Sequence, residues 1–212
     1  MIYKVIKTLT NSGVKDITIV LGGESVGDFI RLLGDGAEFG ANFSYVYQQR
    51  AGGIAEALFL TKKIVKGHKV AVILGDNIFE NTFESEFYEF ENSNEFNSCL
   101  FLKEVDDPKR FGVAELNDDF TIKTIEEKPK EPKSNYAVTG LYLYDENIFD
   151  EIKKVIDEIG YSSRGELEIT DVNNFYIKRG KTKSKIIKGF WSDAGSFNTL
   201  LRSSNFIQSL KK

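Results

Sequence analysis

From Met1 to Leu9 the apolar residues Ile2, Val5, Ile6 and Leu9 recur in steps of three and four, which predicts an amphipathic helix stopped at Asn11-Ser12-Gly13. The pattern then shortens. Asp16–Gly22 (DITIVLG) is a β-branched run of the kind that forms a buried strand. Helical spacing returns over Val26–Leu33 and ends at Gly34. Phe43–Gln48 reads as a strand, Ile54–Val65 as a helix and Lys69–Leu74 as another strand. Strands and helices alternating at these lengths predict βαβ units, with a parallel sheet covered by helices on both faces.

After Asn97 the rhythm changes. Strand-like runs follow one another at Ser98–Val105, Gly112–Leu116, Thr121–Glu126 and Ala137–Tyr144, parted by turn signals at Asp106-Asp107-Pro108 and Asn117-Asp118-Asp119. A mixed or antiparallel extension of the sheet is expected there. Helices are expected over Glu146–Ile159, Glu168–Lys178 and Ser196–Leu210, the last N-capped by Ser196, with a strand at Thr182–Ile187. No repeat, low-complexity tract or linker interrupts the chain, so residues 1–212 are expected to form one α/β domain.

Composition narrows the function classes. With 28% charged residues and a net charge of −4, the whole-chain balance gives no electrostatic case for nucleic acid or an anionic membrane. No run approaches the roughly 20 apolar residues of a membrane span, and the first residues do not read as a signal peptide. The single cysteine, Cys99, excludes an intramolecular disulfide framework and suits a reducing cytoplasm; within Ser98–Leu102 it reads as a core residue. With one His and one Cys no nucleophilic Ser/His or Cys/His constellation is expected, and His68 beside Gly67 reads as a surface turn residue.

Several segments carry candidate chemistry. Val70–Leu74 delivers Gly75 and Asp76 at a strand's C-terminal end, where ligands of open α/β sheets bind and a carboxylate can hold Mg²⁺ against a phosphate; Asp76 can equally cap a turn. Trp191-Ser192-Asp193 repeats the arrangement before a helix, so Asp76 and Asp193 can share one cation. In Glu126-Glu127-Lys128-Pro129, Glu suits sugar hydroxyls and Lys a phosphate. Neighbours on a strand face opposite ways, so Glu127 and Lys128 share a site only where the chain bends. Arg164 before Gly165 suits bidentate oxyanion binding, and the acidic residues after it also suit a helix start. Gln48 and the Gly52-Gly53 loop suit contact with a flat base, Gln48 through its amide and the glycines through bare backbone.

The order of these segments is more specific than any one of them. Leu74-Gly75-Asp76-Asn77, Pro108–Val113, Glu126–Pro129, Asn135–Tyr142, Arg164–Asp171 and Trp191-Ser192-Asp193 together resemble the bacterial glucose-1-phosphate thymidylyltransferases over essentially the whole chain. The resemblance implies a nucleotide-diphospho-sugar-transferase-like fold, a mixed sheet flanked by helices. It implies Mg²⁺ held by Asp76 and Asp193, and a thymine base met by Gln48 and Gly53. Sugar hydroxyls would be held by Glu127, the sugar would be lined by Gly112 and Val138 and walled by Trp191, and its phosphate would be gripped by Lys128 and Arg164, with Lys128, Arg164 and Asp76 acting catalytically.

Its expected reaction joins glucose 1-phosphate to dTTP, giving dTDP-glucose and pyrophosphate for deoxysugar and cell-surface polysaccharide synthesis, in a cytoplasmic homo-oligomer. A uridylyltransferase or metal-dependent glycosyltransferase of the same fold is the alternative enzyme, and a non-catalytic sugar-phosphate-binding protein the alternative class.

Phe111 stands where the family usually has Tyr, and Ala194 and Ser196 replace its usual threonines. Family members also begin with a strand and a Gly-Gly-x-Gly-Thr-Arg loop ahead of the helix that corresponds to Met1–Leu9; neither occurs in residues 1–212. The resemblance therefore implies unpaired backbone groups on the two strands that would flank that strand, and poor turnover by these residues alone.

Overall fold

The computed structural model describes residues 1–210. The chain runs α1 (Ile2–Asn11), β1 (Asp16–Gly22), α2 (Val26–Leu33), β2 (Asn42–Gln48), α3 (Ile54–Leu60), α4 (Lys62–Val65), β3 (Val70–Ile73), β4 (Asn77–Phe79) and α5 (Glu84–Asn92). It continues through β5 (Ser98–Glu104), β6 (Gly112–Leu116), β7 (Ile122–Glu127), β8 (Tyr136–Tyr144), α6 (Ile148–Glu158), α7 (Ile169–Lys178), β9 (Thr182–Ile186), β10 (Trp191–Asp193) and α8 (Phe197–Ser209).

The periodicity places nearly every element within two residues of its observed ends. The helix expected over Ile54–Val65 is divided at Thr61. There the Thr61 hydroxyl donates to the Leu58 carbonyl at 2.7 Å and its N–H takes the same oxygen at 3.0 Å, tightening the turn. The helix α5 escapes the sequence pattern because its acidic run ESEFYEFEN turns only Phe87 and Phe90 fully inward. Ser196 caps α8 as expected, in a reciprocal box with Thr199.

The sheet is mixed. β1 and β2 pair in parallel, while β3, β5 and β6 all run antiparallel to the long central strand β8, and β9 joins parallel to β5. The parallel pairing of β1 with β2 and the mixed extension after Asn97 are as expected; β3 belongs to that extension through its antiparallel pairing with β8, a strand of the later half. Successive residues of β5 and β8 face opposite layers. Leu100, Leu102, Tyr142 and Tyr144 pack under α3, α6 and α7, while Cys99, Phe101, Leu141 and Leu143 pack under α1 and α5. Two-sided burial explains why these strands read as continuous apolar runs.

Between β1 and β3 the sheet is open. Among the described residues β1 pairs only with β2 and β3 only with β8, as the resemblance implied for two strands with unpaired backbone groups. No helix among the described residues is long and apolar enough to cross a membrane.

Cys99 is buried, and burial pushes its thiol up to about 12. It is expected to resist a thiol-disulfide reagent at pH 8 in the folded protein and to react fully in urea, because the thiolate is the attacking species. Rapid labelling of the native chain would show that β5 opens.

Candidate active site

The three-residue step Leu74-Gly75-Asp76 from β3 to β4 sets Asp76 just past the C-terminal end of β3, and β4 then pairs with β10 so that Asn77 lies opposite Asp193. The Ala194 N–H donates to the Asp76 carbonyl at 2.8 Å, which locks the two acidic segments together. Their carboxylates face one point. A β-carbon on Gly195 would lie 3.2 Å from Asp193 Oδ2 and 3.7 Å from Asp76 Oδ2. A glycine there leaves the space between the two oxygens open. Asp76 Oδ1 accepts from the Asn77 amide at 2.8 Å, and Asp193 Oδ2 accepts from Arg110 Nη2 at 3.0 Å. Two carboxylates converging on a space that a single methyl would fill fit an Mg²⁺ that takes its remaining ligands from phosphate and water.

Asn77 holds this end in place. It is buried, and its Oδ1 accepts from the Gly140 N–H at 2.9 Å and from the Trp191 indole at 2.8 Å. The backbone of β8 comes so near that a β-carbon on Gly140 would sit 2.7 Å from the Asn77 side chain.

The second end lies where β6 meets β7. Gly112 pairs with Glu127, and a β-carbon on Gly112 would be 3.3 Å from both Glu127 Oε2 and Thr170 Oγ1. The Thr170 hydroxyl donates to Glu127 Oε2 at 2.6 Å. Lys128 follows with φ of 45°, one of two non-glycine residues in the left-handed region among those described. This is the bend that two neighbouring strand residues need in order to share a site. It brings Lys128 Nζ to 3.9 Å from Glu127 Oε1, while the Lys128 N–H donates to the Phe111 carbonyl at 3.0 Å.

Arg164 reaches the same carboxylate, its Nη2 lying 3.4 Å from Glu127 Oε1. Its stronger hold is on Glu168, whose two oxygens accept from Nη2 at 2.9 and 2.7 Å, and Glu166 stands at 3.3 Å. The Glu168 hydrogen bonds, ahead of the charges of Glu168, Glu166 and Glu127, raise the guanidinium above its ordinary value. Glu127, Lys128 and Arg164 therefore meet in one place.

Phe111 joins the two ends. Its ring packs 5.2 Å from that of Trp191, its carbonyl holds Lys128, and its neighbour Arg110 holds Asp193. Burial raises the Tyr142 hydroxyl far above the usual range, and the charges of Glu127 and Asp76, one from each end, add to the effect.

Trp191 and Val138, the expected wall and lining of the sugar, are both buried. The side on which Gly53 lacks a side chain faces protein. A β-carbon there would meet the Leu167 carbonyl at 2.5 Å, and one on Gly52 would meet the Glu56 carboxylate at 1.9 Å. The Leu167 N–H donates to the Gly52 carbonyl at 2.7 Å, so this loop is glycine-rich in order to pack against the Arg164–Asp171 segment. The Gln48 amide donates to the Gly53 carbonyl and to Glu56 Oε1, both at 3.2 Å. Asn77, Arg110 and Thr170 went without a role at the sequence level, although each lies inside a quoted motif. Their partners are distant in the chain, and spacing alone does not reveal them.

A family model described as nucleotidyl transferase matches residues 1–209. The glucose-1-phosphate thymidylyltransferase of Neisseria meningitidis is 36% identical over 213 residues, covering 100% of this chain and 73% of the relative. That of Mycolicibacterium smegmatis is also 36% identical, covering 100% of this chain and 72% of its own length. The crystal structure of a proposed glucose-1-phosphate thymidylyltransferase from Bacillus anthracis, in complex with a sucrose, is similar with a TM-score of 0.88 and 47% identity, covering 97% of this chain and 81% of that one. A UDP-glucose pyrophosphorylase complexed with UDP-glucose shares the fold, with a TM-score of 0.80, 21% identity, and coverage of 97% of this chain and 85% of that one.

Proposed function

The chain belongs to the nucleotidyl transferase family, and we propose that it serves the transfer of a thymidylyl group from dTTP to glucose 1-phosphate. An oxygen of the sugar phosphate attacks the α-phosphorus, the bond to the β-phosphate breaks, and dTDP-glucose and pyrophosphate are the products. Such a reaction needs positioning and charge neutralisation more than a general base. Glu127 orients sugar hydroxyls beside Gly112, while Lys128 and Arg164 hold the sugar phosphate in line with the nucleotide. Asp76 and Asp193 would hold Mg²⁺, which when bound neutralises charge on the phosphates. Gln48 is the proposed contact to the base, and a homo-oligomer is part of the same reading.

The observation that supports it most is the convergence of Lys128 and Arg164 on Glu127, at 3.9 and 3.4 Å, across a backbone bend that Lys128 takes at φ of 45°. A solvated charged loop gives no reason for a lysine to hold that conformation, which is uncommon outside glycine. Calorimetric titration with glucose 1-phosphate tests it. Lys128→Ala is expected to weaken binding by about 1.5–3 kcal/mol, the scale of a charge-assisted hydrogen bond. Equal affinity in the two proteins would return Lys128 to the surface and remove the sugar-phosphate pocket from the account.

A further inference from the structure

Glu56 stands at the centre of a polar cluster beside the proposed base contact. It lies in the first turn of α3, and its side chain is 15% exposed. Its Oε2 accepts from Arg50 Nη2 at 2.6 Å and from the Tyr161 hydroxyl at 2.8 Å, and its Oε1 accepts from Gln48 Nε2 at 3.2 Å. Arg50 also lies over the Tyr161 ring, 4.6 Å from its centre. One carboxylate thus ties together the end of β2, the loop after it and the loop that follows α6.

This arrangement fixes which end of Gln48 a ligand meets. A side-chain amide carries its donors on one atom and its acceptor on the other, and it can be turned end for end. A carboxylate and a backbone carbonyl can only accept. Nε2 faces both, Glu56 Oε1 and the Gly53 carbonyl, each at 3.2 Å. The turned amide would set Gln48 Oε1 against two acceptor oxygens and lose both hydrogen bonds. Both N–H groups are therefore consumed, and only the Gln48 carbonyl oxygen is left for a ligand. Burial acts to raise the Glu56 carboxyl, but the hydrogen bonds from Tyr161, Gln48 and Arg50 outweigh it and hold the group below its ordinary value, so it stays an acceptor at neutral pH.

We propose that Glu56 is a positioning residue that decides which base the site takes. It acts through Gln48, which then recognises a base with an N–H donor at the edge it meets. Among pyrimidines this selects the imides, thymine and uracil, whose N3 carries a hydrogen between two carbonyl groups. Cytosine in the same pose presents a bare N3, and two lone pairs would face each other. The methyl group of thymine plays no part, so this device does not tell thymine from uracil. The inference rests on the reading that Gln48 meets the base.

The test is calorimetric titration of the 212-residue protein with dTDP-glucose and, separately, with dCDP-glucose. The parent is expected to bind dTDP-glucose about tenfold or more tightly than dCDP-glucose, because the wrong base leaves polar groups facing each other without a bond. Glu56→Gln keeps the size but brings an amide that donates as well as accepts, so Gln48 is free to turn. In that variant the preference is expected to fall to about threefold or less, through tighter dCDP-glucose, with glucose 1-phosphate bound within about twofold of the parent. A merely structural role for Glu56 would weaken both nucleotide sugars alike and leave their ratio unmoved. An unchanged ratio in Glu56→Gln, beside a parent that discriminates, would overturn this inference and leave the thymidylyl reading standing. A parent that binds neither nucleotide sugar, or both alike, would overturn the two together. Where Glu56→Gln does not fold, nuclear Overhauser contacts in the parent complex with dTDP-glucose decide. The side-chain amide protons of Gln48 are expected beside Glu56 and away from the thymine ring, and the reverse would overturn the proposal.

Discussion

Asn77→Leu is expected to lower the unfolding free energy by about 2–6 kcal/mol, read from urea midpoints at constant slope. Asn77 Oδ1 accepts from both the Gly140 N–H at 2.9 Å and the Trp191 indole at 2.8 Å, and the residue is 3% exposed. Leucine keeps the size but offers no acceptor, so two buried donors lose their partners. Each such loss costs about 1–3 kcal/mol. The close approach of Gly140 leaves no room for a branched side chain to shift, which adds overpacking. A second readout separates this from a general loss of packing: the indole fluorescence of Trp191, the one tryptophan, should change in the folded variant. A midpoint unchanged from the parent would show that Asn77 does not tie β8, β10 and Asp76 together.

Arg164→Ala is expected to cost more than Lys128→Ala, weakening glucose 1-phosphate by about 3 kcal/mol or more, over 100-fold. Two effects add. The planar fork that grips an oxyanion is lost, and the carboxylates of Glu127, Glu166 and Glu168, at 3.4, 3.3 and 2.7 Å from Arg164 in the parent, are left facing an incoming phosphate without their common cation. Arg164→Lys keeps a charge but not the fork, and is expected to fall between the two. Glu168→Gln releases Arg164 from its strongest partner and should leave affinity unchanged or raise it. An Arg164→Ala protein that binds the sugar phosphate as the parent does would confine Arg164 to the ion-pair cluster at the start of α7.

The sequence made the alternation of elements legible because the core is two-sided. Cys99–Leu102 of β5 and Leu141–Tyr144 of β8 face both layers and read as continuous apolar or aromatic runs, and long amphipathic helices such as α6 announce themselves. The pairing of β3 was hidden, since a run such as VAVI fits a parallel or an antiparallel neighbour equally well. Asp76, Asp193, Glu127, Lys128 and Arg164 were readable as candidates from residue type and order. The bend at Lys128 was legible only as a requirement, and its φ of 45° is a tertiary fact, held by the Phe111 carbonyl just ahead of β6. The packing of the Gly52-Gly53 loop was not legible: a glycine that lets backbone approach a ligand and one that lets it approach another segment of the chain look the same in sequence, and on the side where Gly53 lacks a side chain the neighbour is Leu167.

The central claim is thymidylyl transfer to a sugar 1-phosphate, and pyrophosphate release with dTTP, glucose 1-phosphate and Mg²⁺ tests it most directly. The assay compares the 212-residue chain with the same chain carrying a strand and a Gly-Gly-x-Gly-Thr-Arg loop ahead of Met1. The extended chain is expected to form dTDP-glucose, faster with dTTP than with UTP. The 212-residue chain should be slower by about 10²–10³ or more, the scale of losing even one oriented donor to the transferring phosphates. No pyrophosphate from either protein with any nucleoside triphosphate would contradict the account, and comparable rates from both would show that Asp76, Lys128 and Arg164 work without the loop the family places beside them.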